Sequence, residues 1–176
     1  MTPRAAPLML LIAATGFWSA ATVHAWATAD DAALAAAMKD AMVSLQDGLK
    51  VGQCVGTPIS AKFEIEDGKL LLSVYTTKGT DFMEVVVDPK TGAIVKAEKI
   101  GDVEDLKAAT AQKAAMANAK MPLAAAAETT VKANARFRAV SIFLELKNGE
   151  VNAEVTLFAG GLFKNITQTL EGHRNE

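Results

Sequence analysis

The stretch from Ala61 to Lys99 constrains this chain most, because turn signals divide it into segments that alternate with a period of two. Phe63 and Ile65 alternate with Lys62, Glu64 and Glu66, as expected of a half-buried strand. Asp67-Gly68 supplies residues that tolerate positive φ, a strong hairpin signal, and Leu70, Leu72 and Val74 continue the apolar face beyond it. A turn at Thr77–Thr80, a strand over Phe82–Val87, the turn Asp88-Pro89-Lys90-Thr91-Gly92 and a strand over Ala93–Lys99 complete a four-stranded meander.

A second stretch follows the same plan. A strand over Arg136–Lys147 turns at Asn148-Gly149. The return strand carries Val151, Ala153, Val155 and Leu157, and after Gly160-Gly161 a third strand covers Phe163–Thr169. An ungapped overlay pairs Glu64 with Glu145, Gly68 with Gly149, Val74 with Val155, Gly79 with Gly160 and Phe82 with Phe163. Turn glycines and apolar faces in one register indicate an internal repeat. The second copy ends sooner. Thr169-Leu170-Glu171-Gly172 stands where Asp88–Gly92 stood, with no fourth strand.

Helical patterning flanks both meanders. Asp30 or Asp31 starts a helix reaching about Asp47, with Leu34, Met38, Ala41, Leu45 and Leu49 as its stripe and Gly48 at its end. Ile100–Met121 is also helical, with Asp102, Glu104 and Asp105 at its start and Lys113 and Lys120 toward its end, matching the helix dipole. Pro122 opens a further helix at the favoured first position.

The beginning of the chain reads as an export signal. Arg4 precedes an apolar run, Leu8–Ala14 with Phe17 and Trp18, and Val23-His24-Ala25 or Ala25-Trp26-Ala27 fits the small-x-small cleavage pattern. The run is short for a spanning helix, which needs about 20 residues. A periplasmic or secreted protein is expected, without stable membrane insertion after cleavage. Losing residues 1–27 removes Arg4 and no acid, so the net charge moves from −2 to −3. A mildly acidic chain without a basic patch has no electrostatic footprint for nucleic acid. Cys54 stands alone, which rules out an internal disulfide and reads as a small buried hydrophobe near the first strand; a reactive thiol is the other reading.

Helix, hairpin, then a strand ending in Val-Asp-Pro-Lys-Thr-Gly-Ala-Ile-Val (Val87–Val95) resembles the PepSY domain, which closes on a V-D-x-x-T-G-x-V-like run. The resemblance covers Asp31–Lys99; Met121–Gly172 matches in outline and lacks the closing aspartate. It implies a helix packed on an antiparallel sheet, an envelope location and a role in binding or restraining peptidases, as in thermolysin-type propeptides. It brings no catalytic residues.

The residues themselves offer little catalytic chemistry. Beyond the leader the only histidine is His173, so Ser44, Ser60, Ser73 and Ser141 lack an imidazole partner, and a zinc site lacks ligands. Glu64, Glu66, Asp81 and Glu84 read as a solvated outer face, since acid–base work needs a cleft that shifts a pKa. Leu71, Tyr75, Met83, Val85 and Phe143 fall where strict alternation would leave them wet. They form the candidate partner-binding face, unless two stacked sheets or the alanine-rich helices cover them.

The expected architecture is α+β. Two tandem units, each a helix packed on a three- or four-stranded antiparallel sheet, follow a signal peptide. The divisions are 1–27 leader, 28–101 first PepSY-like repeat, 102–120 connecting helix, 121–172 degenerate second repeat and 173–176 tail. The expected function is a non-enzymatic periplasmic binding module, without cofactor or metal, that inhibits or modulates an envelope peptidase. The alternative is an accessory of an envelope redox or metal-handling system.

Overall fold

The computed structural model describes residues 29–147 and 149–170. The elements run α1 (Ala29–Ala37), a 3-10 turn (Met38–Asp40), α2 (Leu45–Gly52), β1 (Thr57–Glu66), β2 (Lys69–Lys78), β3 (Asp81–Val87) and β4 (Ile94–Lys99). They continue through α3 (Val103–Met116), α4 (Leu123–Ala133), β5 (Arg138–Lys147), β6 (Glu150–Ala159) and β7 (Leu162–Thr169). No helix among the described residues is long and apolar enough to cross a membrane. The proposed leader and the tail after Leu170 lie outside the described residues.

All the strands belong to one antiparallel sheet of seven, in the order β4-β3-β2-β1-β5-β6-β7. This overturns the expectation of two tandem helix-on-sheet units. The first strands of the two meanders pair edge to edge, Ala61 opposite Ile142 and Lys62 opposite Ser141, so the class is α+β but the sheet is continuous. Two small sheets would each leave a central edge unpaired; joining them satisfies both edges and extends one core.

Register repeats from one meander to the other. Phe63–Leu72 and Ala61–Val74 across β1 and β2 reappear as Leu144–Ala153 and Ile142–Val155 across β5 and β6. Val74–Val85 reappears as Val155–Ile166. Even the irregularity recurs, with a bulge between Pro58 and Ser60 and another between Ala139 and Ser141. One row of side chains, Ala97, Val85, Val74, Ala61, Ile142, Val155 and Ile166, therefore crosses all seven strands.

That face carries the core. Phe63, Leu72, Val74, Val85, Val87, Ile142, Leu144, Val151 and Val155 form one buried cluster with Met38, Ala41, Leu45 and Leu49 and with Leu123, Ala126 and Ala127 of α4. The first helical region is not the continuous helix that the spacing predicts. α1 ends at Ala37, the chain turns at Met38–Asp40, and Ser44 starts α2 afresh, its Oγ accepting from Asp47 N–H at 3.1 Å and donating to Asp47 Oδ2 at 2.6 Å. Gly48 does not end a helix. It lies inside α2, where an added β-carbon would stand 2.3 Å from Leu72 Cδ2, and at Gly52 one would stand 2.6 Å from Val74 Cγ1. The two glycines let α2 lie directly on β2.

The break between helices is pinned from both halves. Pro89 O accepts from the N–H groups of Met42 and Val43, each at 2.9 Å. Arg138, at the start of β5, donates to the carbonyls of Met38 (3.2 Å), Ala41 (3.0 Å) and Val43 (2.9 Å). Partial burial lowers the Arg138 pKa, and its guanidinium lies 5.8 Å from the Phe63 ring centroid. The turn presenting Pro89 is rigid, because Asp88 Oδ1 accepts from Lys90 N (2.9 Å), Thr91 N (2.8 Å) and Thr91 Oγ1 (3.1 Å). Those hydrogen bonds hold Asp88 below the usual carboxylate range, Thr91 N–H contributing most. The Asp-x-x-Thr-Gly run thus acts here as a fixed anchor for the segment entering α2.

Candidate functional site

On the opposite face the two halves differ. There α3 lies over the β1–β5 seam, started by Asp102, whose Oδ1 accepts from Glu104 N–H (2.9 Å) and Asp105 N–H (3.2 Å). Lys113 Nζ lies 5.5 Å from the Phe82 ring centroid and donates to Gly79 O at 2.6 Å. The most informative contact is at Gln112. Its Nε2 donates to Leu144 O at 2.8 Å, and its Oε1 accepts from Leu144 N–H. With β1 and β5 paired only around Ala61 and Ile142, the Gln112 amide takes the place of a strand residue beside Leu144.

Under the start of α3 lies a polar layer on the same face as Lys62 and Ser73. Lys62 Nζ meets Glu64 Oε2 at 2.6 Å and stands 5.9 Å from the Tyr75 ring centroid. Burial raises the Glu84 pKa and Glu64 adds to the effect, while Ser73, Tyr75 and Lys62 draw it down; Ser73 Oγ does so without hydrogen-bond geometry. Burial likewise raises Asp105, with Asp102 and Glu64 adding to it and Lys62 opposing. The Tyr75 phenol is pushed up strongly by burial and then by Glu84, Glu64 and Asp105. Three carboxylates thus share one lysine, and Asp105 Oδ1 is buried without a hydrogen-bond partner. No group of three or more His, Cys, Asp or Glu among the described residues is placed to hold a metal ion.

In the second half the corresponding face is more exposed toward β7, although Asn152 is buried and Glu154 and Thr156 are half-buried on it. Phe143, Glu145, Asn165, Thr167 and Thr169 are exposed, and among the described residues no strand lies outside β7. By register β7 corresponds to β3, whose outer edge is occupied by β4. On this face Phe143 is 37% exposed, whereas the exposed Leu146 and Leu162 lie by register on the core side of β5 and β7.

The five residues expected to form a partner-binding face do not share one. Val85 is fully buried in the core, and Met83 lies on the same side of β3. Leu71 and Tyr75 lie on the opposite face, with Tyr75 in the polar layer near α3; of the five, Phe143 alone is exposed. The outer-face acids also separate. Asp81 pairs with Lys99 at 2.8 Å and Glu66 is exposed, whereas Glu64 and Glu84 are half-buried. Cys54 is exposed just after α2, not buried as its residue type suggested. Sequence reasoning missed Arg138 and Gln112. Neither follows a periodic pattern, since both act on backbone groups remote in sequence.

No family model, no curated protein and no solved structure matches the chain. The PepSY resemblance therefore rests on the residues from Asp31 to Lys99 and on the order of the elements.

Proposed function

We propose that this chain is a non-enzymatic binding module of PepSY type, exported to the cell envelope, that holds a protein partner and restrains a peptidase. The observation that carries this reading is the unequal closure of two halves built on one register. Among the described residues β4 covers the outer edge of the first half and no strand covers the outer edge of the second, while α3 lies over the β1–β5 seam between them. A sheet presented in this way recognises a partner through shape and main-chain hydrogen bonds. The test is affinity capture from envelope extract on the exported protein, followed by peptidase assays with and without it. Capture of a peptidase and slower cleavage are expected; no bound protein and unchanged rates across peptidase classes would overturn the proposal.

A further inference from the structure

By register the outer edge of β7 corresponds to the edge of β3 that β4 occupies. In β3 the residues whose backbone groups turn away from β2 are fixed by two hydrogen bonds, Ile100 N–H to Phe82 O at 3.0 Å and Asp88 N–H to Ala93 O at 2.8 Å. Register carries Phe82 to Phe163 and Asp88 to Thr169, so Phe163, Asn165, Thr167 and Thr169 turn their backbone groups away from β6. The inward set agrees, since Leu170 N–H donates to Val151 O at 2.8 Å. β7 pairs with β6 without a bulge and contains no proline, which leaves Lys164 as its one edge-strand defence.

Side chains restrict what fits there. Lys164, Ile166 and Gln168 lie on the core side of β7, where Ile166 ends the apolar row that Ala97 of β4 ends at the other edge. From Leu162 to Leu170 the only charged residue is Lys164, exposed at the edge, with Nζ 3.0 Å from Asn134 Oδ1. Building on the binding-module reading above, we infer that β7 takes an extended peptide segment of the partner as an eighth, antiparallel strand. That segment carries a small apolar residue opposite Ile166 and an acidic residue opposite Lys164. Main-chain bonds supply the affinity and these two side chains the selection.

The probe is a synthetic peptide copying residues 93–100 with Lys99→Glu, which in the β4 register sets alanine against Ile166 and a carboxylate against Lys164. Titrated into isotope-labelled protein, it is expected to shift and protect the amides of Phe163, Asn165, Thr167 and Thr169, leaving the β4 amides unchanged. The unaltered 93–100 sequence, with lysine against Lys164, should bind more weakly. Asn165→Pro removes an outward N–H that the β6–β7 ladder does not use, and should weaken binding by about tenfold or more with the fold retained by circular dichroism. Lys164→Glu should reverse the preference between the two peptides and serves as the second variant. Equal binding to wild type and Asn165→Pro, or protection elsewhere, overturns the edge site. Should wild type and Asn165→Pro capture a peptidase equally, the binding-module reading stands and the edge site falls. Capture of nothing by wild type removes the reading itself.

Discussion

Ala61 and Ile142 face each other across the β1–β5 seam, and they are also the equivalent residues of the two meanders, 81 positions apart in a register that holds through every hairpin. A pair of equivalent residues on antiparallel neighbours lies on a local twofold axis. β1–β3 and β5–β7 are therefore two copies of one meander related by rotation about this pair, as in an isologous dimer joined within one chain, with β4 added at one edge.

The seam is short, and its extension depends on a side chain. Gln112→Ala would leave Leu144 N–H and C=O without their partners in a half-buried setting, a loss of about 1–3 kcal/mol. Urea unfolding should show the loss, and hydrogen exchange should accelerate at Leu144 while Ile142 keeps its protection. Unchanged exchange at Leu144 would mean that β1 or water supplies the bonds instead.

Gly48→Ala tests the close approach of α2 to β2. Helix propensity alone would favour alanine by about 1 kcal/mol, but the new carbon would meet fully buried Leu72, and overpacking costs about 1–3 kcal/mol. Net destabilisation is expected, with partial recovery in the double variant Gly48→Ala/Leu72→Val. Gly101→Ala is the control, because no atom lies within 4 Å of an added carbon there.

Arg138→Ala would release three carbonyls that fix the break between α1 and α2, at a cost of about 2 kcal/mol, moderated because the guanidinium is partly solvated. Arg138→Lys should recover only part of this, since one ammonium cannot reproduce the planar fork. Chemical shifts of Met42 and Val43 should move in both variants. Thermal melts equal to wild type for Arg138→Ala would show that Pro89 holds the segment by itself.

The elements were legible where local chemistry decides them. Asp67, at φ 49°, and Gly68, at φ 72°, form the hairpin turn that their residue types announce, and the alternation of Phe63, Leu72 and Val74 names the core face. The joining of the two sheets was not legible, because Ala61 and Ile142 read as strand residues whether their neighbour is solvent, a helix or another strand. The helix break at Met38–Asp40 was hidden for a related reason. The apolar stripe runs on through it, and the Ser44–Asp47 cap is outvoted by periodicity unless it is sought. The binding face failed at Val85 and Met83 because alternation assigns residues to faces only once strand ends are fixed.

The last prediction concerns pH and sets two carboxylates against each other. Glu84 has a raised folded pKa, so its contribution to stability is fully present below the unfolded value and is lost as pH rises through the folded one. Glu84→Gln removes that loss. The variant should unfold at a higher temperature than wild type at pH 7, with the gap closing as pH falls below the ordinary glutamate range. Asp88 has a lowered folded pKa, so its contribution is present above the unfolded value and is lost as pH falls through the folded one. Asp88→Asn should therefore be less stable than wild type at pH 7 and converge with it in acid. Melting curves from pH 3 to pH 8 should show the two variants on opposite sides of wild type at neutral pH. If Glu84→Gln lies below wild type at pH 7, the ionised carboxylate near α3 is held by Lys62 and Ser73 more strongly than burial opposes it.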